Sequence, residues 1–140
     1  MKFKFLLFGI IFGSLSSVVL AHSFVPDFTK MQNLRCDFDE IIVNSNNAVV
    51  TENKRFKIFK LDDSNKKIYI HKEPIDKVSY YESDKIEFEL QSLTDDFIEM
   101  SKTVIDRQSL TYTSTAVITY DNQLYGVRHA KSSGTCRFLN

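Results

Sequence analysis

Ile86-Glu87-Phe88-Glu89-Leu90 places an apolar side chain at every second position with a glutamate between. That period belongs to a strand with one face on a core and the other in water. The same period of two, rather than 3.6, runs through the chain from Leu34 onward. Leu34, Cys36 and Phe38 alternate with Arg35, Asp37 and Asp39; Phe56 and Ile58 are set against Lys57 and Phe59; Ile68 and Ile70 share a face. Residues 109–120 are rich in Thr, Tyr, Val and Ile, as strands are. The terminal stretch 134–139 is expected to return Cys136 and Phe138 to the interior. Polar turns at 62–67, 82–85 and 121–123 separate these segments. The pattern predicts an all-β domain, an antiparallel meander closing into a small barrel or a sandwich.

Helical signals are few. Residues 25–32 suit a single turn with Pro26 at an early position. Residues 93–102 carry a helix-capping Thr94, but Phe97, Glu99 and Ser101 alternate as in a strand, and strand is the reading adopted. The polar stretch 44–54 is expected to be the longest connection and a mobile loop.

The first residues specify export. Lys2 and Lys4 precede an apolar run from Phe5 to Phe12, and Val19 and Ala21 occupy the −3 and −1 positions of a signal-peptidase site. The uninterrupted apolar run is shorter than the roughly 20 residues a membrane span needs. The expected organisation is therefore a signal peptide, 1–21, and a single secreted domain, 22–140, periplasmic or released, with no stable membrane span after cleavage. Eighteen Lys and Arg balance eighteen Asp and Glu, and loss of Lys2 and Lys4 leaves a slight acidic excess. No basic stripe of the kind nucleic-acid binding requires is present.

Cys36 and Cys136 are the two cysteines. In an oxidising compartment an even pair implies a disulfide; a catalytic thiol or a thiolate metal site suits cytosolic proteins better, and there is no C-x-x-C pair. Closing a loop of about 100 residues is worth up to about 4.7 kcal/mol on the chain-entropy account.

Chemistry-bearing constellations are sparse. Cleavage after Ala21 would leave His22 with an α-amino nitrogen and an imidazole, a donor pair suited to Cu(II), with His71 or His129 as the second ligand residue. This arrangement resembles that of lytic polysaccharide monooxygenases and some periplasmic copper-binding proteins. Asp62-Asp63 and Asp95-Asp96 sit in turns, where Asp bonds nearby amides. No G-x-S-x-G elbow and no Gly-rich phosphate loop occurs, and two of the four glycines precede residue 22. Tyr69, Tyr80, Tyr81, Tyr112, Tyr120 and Tyr125 are either ordinary strand residues or the lining of a ligand cavity or protein-binding face. Asp106-Arg107 breaks the apolar approach of Val104-Ile105 and is expected at a turn, with Arg107 bonding a carboxylate or strand-end carbonyls.

Cys36, the segment 56–62 (FKIFKLD), the strand 86–90 (IEFEL), 105–109 (IDRQS) and 134–136 (GTC) together resemble a group of small exported bacterial proteins of unknown function, marked by I-D-R-x-[ST] and a terminal G-x-C. In that group a glycine usually follows the first motif; Leu110 stands there here. The resemblance implies a disulfide-stapled β domain and transfers no catalytic residue. The functional expectation is a non-catalytic binding or interaction module for a protein partner, an envelope component or a small apolar ligand, which includes an inhibitor of a secreted enzyme, and it needs no cofactor. The alternative is a periplasmic copper-binding protein using His22.

Overall fold

The computed structural model describes residues 25–140. The signal-peptide expectation and His22 lie outside the described residues. A one-turn 3-10 helix, Phe28–Lys30, follows Pro26, and the Asp27 carboxylate caps it by accepting the Thr29 N–H at 3.1 Å. Nine strands follow: β1 (Gln32–Val43), β2 (Val49–Asp62), β3 (Lys67–Ile70), β4 (Glu73–Pro74), β5 (Lys77–Tyr81), β6 (Lys85–Leu93), β7 (Phe97–Asp106), β8 (Thr111–Tyr120) and β9 (Val127–Leu139). All pairings are antiparallel, in the order β4-β3-β2-β1-β9-β8-β7-β6-β5. Every strand thus lies beside its neighbour in sequence except β4 and β5, and the first strand pairs with the last. The result is a meander curled into a half-barrel whose open seam falls between β4 and β5, in the middle of the chain. There is no second sheet among the described residues, so the sandwich alternative is not realised.

The disulfide closes the β1–β9 seam. Cys36 and Cys136 are direct cross-strand partners with Cα atoms 3.9 Å apart. The Cys136 N–H donates to the Leu110 carbonyl on the β8 side at 2.7 Å, so the two cysteines form a pair whose backbone groups face away from each other. Side chains approach most closely at such positions.

One end of the half-barrel is packed and the other flares. Leu34, Cys36, Phe59, Leu61, Ile68, Ile86, Phe88, Ile105 and Tyr112 fill the packed end and are almost wholly buried. A layer of buried hydroxyls follows, where Thr103 and Ser114 bond at 3.0 Å. Beyond it a second, smaller cluster of Ala116, Ile118 and Ala130 lies toward the flared end.

Three expectations are corrected. The polar stretch 44–54 is not a long loop: a five-residue turn, 44–48, ends at Val49, because β1 supplies a ladder along all of β2. In β2 the buried apolar side chains are Phe59 and Leu61, while Phe56 and Ile58 face solvent. Ile58 and Phe59 are adjacent apolar residues, and pairing of Leu34 with Phe59 decides which of them faces in. Phe138 is exposed although alternation puts it on the same side of β9 as Cys136 and opposite the buried Leu34: it stands at the end of the strand, at the margin of the core. The strand reading of 97–101 holds: Phe97, Glu99 and Ser101 point inward.

Candidate functional site

The curl is held at its packed end by a clasp of turns. Arg107, in the β7–β8 turn, donates to Asp63 Oδ2 at 3.0 Å and to the Glu82 carbonyl at 3.1 Å. Its backbone N–H donates to the Asp84 carbonyl at 2.7 Å. Tyr81 donates its hydroxyl to Asp63 at 2.8 Å, and Lys66 pairs with Glu82 at 2.6 Å. These bonds join the β2–β3 turn to the β5–β6 and β7–β8 turns across the open seam. Arg107 therefore takes both roles expected of it, carboxylate and strand-end carbonyl partner. Burial opposes ionisation of Asp63, but the Arg107 and Tyr81 bonds outweigh it and hold the carboxyl below the usual range. Burial first, then the Asp63 bond, pushes the Tyr81 hydroxyl far above its ordinary value. The clasp is saturated with internal partners and is structural.

At the flared end an arginine and three aromatic side chains pack together. The Arg128 guanidinium lies 5.0 Å from the centroids of both Tyr120 and Tyr125, and Phe97 packs on Tyr120. Among the six tyrosines, Tyr69, Tyr81 and Tyr112 are buried and structural. Tyr69 points away from the core yet is covered by Phe28, edge-on at 5.3 Å.

The outer face of the sheet is different. Between two rungs of side chains a groove of about 390 Å³ crosses β6 to β9 at the flared end, its charged wall reaching β5. Cross-strand register builds it. Gln91, Met100, Val117 and His129 are successive partners and form one wall. Lys77, Glu89, Lys102, Thr115 and Lys131, also successive partners, form the other. The backbone of the residues between the rungs, including the small Ser101, Ala116 and Ala130, is the floor. Met100 is 52% exposed and Val117 42%, large fractions for apolar side chains at the centre of a sheet. On the opposite wall lysines recur on every second strand, about 10 Å apart. Lys77 is paired with Glu89 at 3.8 Å, and Lys102 lies near Glu87 and directly opposite Glu89. Lys131 stands opposite Thr115 and Ile41 and makes no ion pair among the described residues; Asp39, one step along β1 on the same face, is its diagonal neighbour. The lysine with no carboxylate directly opposite it among the described residues is therefore at the β9 end, in the strand that carries His129.

His129 thus belongs to the groove wall. His71 lies in the β3–β4 turn, exposed, with a left-handed backbone (φ 50°). The two are separated by roughly 27 Å along the strand direction and lie on opposite sides of β1, so one His22 site cannot engage both. Among the described residues no three His, Cys, Asp or Glu gather as a metal site. Asp62 accepts from the Asn65 N–H and side-chain amide as a turn former, whereas in the β6–β7 turn that holds Asp95-Asp96 the side chain accepting the Asp96 and Phe97 N–H groups is Thr94. Among the described residues no helix is long and apolar enough to cross a membrane.

The groove was not legible as a site in the sequence. Met100, Val117 and His129 lie on three different strands, and only register aligns them. Comparison of the chain with protein-family models, curated proteins and solved structures finds no match in any of the three.

Proposed function

We propose that this chain is an exported, non-catalytic binding protein whose outer groove takes an elongated anionic amphiphile, a long-chain carboxylate being the simplest case. The observation that carries the reading is the division of the groove into a wall centred on the apolar Met100 and Val117 and a wall bearing three lysines. An acyl chain laid along Met100 and Val117 covers apolar surface that is otherwise exposed, and each buried methylene contributes about 0.8 kcal/mol. Methionine adapts its shape to such chains. The head group belongs at Lys131, the one lysine of the wall with no carboxylate directly opposite it among the described residues. The volume lies within the range of small-ligand sites, roughly 300–1,000 Å³.

The test is titration of the purified exported protein with a fluorescent long-chain fatty acid. Saturable binding is expected. Met100→Glu should abolish it and Lys131→Glu weaken it at least about tenfold, with unfolding midpoints unchanged. Absence of saturable binding, or binding indifferent to Met100→Glu, overturns the assignment.

A further inference from the structure

β2 is bonded to β1 along its whole length, but β3 covers only Phe59–Asp62 on its other side. From Thr51 to Ile58 that second edge has no backbone partner among the described residues. Strand alternation says which groups it presents. Because Cys36 turns its backbone away from Cys136, it faces Lys57, and odd-numbered residues of β2 bond β1. Glu52, Lys54, Phe56 and Ile58 therefore aim their N–H and C=O groups off the sheet. Soluble proteins blunt such edges with prolines, bulges or unpaired charge. The stretch 51–58 contains no proline, and the bulge of this hairpin lies outside it, at Ile42/Val43.

The charges here are arranged symmetrically instead. Glu52 and Lys54 flank Asn53, and Val50 and Phe56 lie one pair further out. When two copies of this edge pair antiparallel with Asn53 on the two-fold axis, each Glu52 stands opposite the other copy's Lys54, and each Val50 opposite Phe56. Both Glu52–Lys54 pairs are in hydrogen-bonding positions. Sliding the register two residues either way sets Lys54 against Lys54 or Glu52 against Glu52, which repels. On the inner face the same register sets Arg55, already held by Glu40 at 3.3 Å, against the neutral Thr51. We propose that the protein forms a two-fold dimer through the β2 edge, continuing one sheet across both copies.

Charge exchange tests this. Sedimentation equilibrium of the exported protein should give a dimer. Glu52→Lys alone, or Lys54→Glu alone, places like charges opposite each other twice and should weaken the dimer roughly 10- to 100-fold. An equimolar mixture of the two single variants, and the double variant carrying both changes, should each regain it. Circular dichroism confirms that every variant is folded, and the rescue arms separate edge pairing from loss of structure. A wild-type monomer at millimolar concentration overturns the proposal, as does a dimer that ignores both single exchanges or is not restored by combining them.

Discussion

The rings of Phe38 and Tyr112 stack with centroids 4.6 Å apart, and the two residues are the direct partners, on either side, of Gly134 in β9. Glycine exposes backbone and leaves a gap in a sheet, and here the neighbouring strands roof it with aromatic surface. The approach is close: a Cβ at 134 would overlap the Asp37 carbonyl oxygen and come within 2.5 Å of Phe38 Cα.

Gly134→Ala should therefore destabilise the protein by about 3 kcal/mol or more, since the obstruction is backbone that cannot swing away. Urea unfolding measures this. An unchanged midpoint would mean that β1 and β9 can separate at no cost, against the close approach seen here.

Stability should fall at both ends of the pH scale through the Asp63–Tyr81–Arg107 clasp. Asp63 ionises below its ordinary 3.8 when folded, so its contribution is present above that pH and lost on further acidification. Tyr81 keeps its proton when folded but releases it near 10.0 when unfolded, so its contribution is complete below pH 10 and declines above it. Tyr81→Phe should remove the part of the alkaline decline that belongs to this hydroxyl. Denaturant midpoints at pH 7 and 11 for both proteins check this, and parallel declines refute it.

Leu110 has a left-handed backbone, φ 54°, in the turn after Asp106, and its side chain packs on the main core. A non-glycine residue there costs about 1–2 kcal/mol. Leu110→Ala loses the packing and keeps that cost, whereas Leu110→Gly loses the packing and is relieved of it. Glycine should thus be the more stable of the two by about 1 kcal/mol, reversing the usual order. Thermal unfolding of the pair decides, and a more stable alanine variant would exclude backbone strain as the controlling factor.

The strand content was legible in the sequence because alternation is local: Ile86, Phe88 and Leu90 can share a face only on an extended chain. The pairing of the two cysteines followed from their number and the expected compartment, and the turn role of Arg107 from its break in an apolar run. Loop 44–54 was misread because nothing polar in it discloses that β1 provides a long template.

What the sequence determined by itself is therefore the periodicity: short extended segments, the turns between them and two sulfurs to join. Tertiary structure alone decided which face of β2 is buried, where the barrel stays open, and that Met100, Val117 and His129 stand in line along a groove. Those outcomes depend on register between strands distant in the chain, and a shift of one residue would exchange every inward side chain for its outward neighbour.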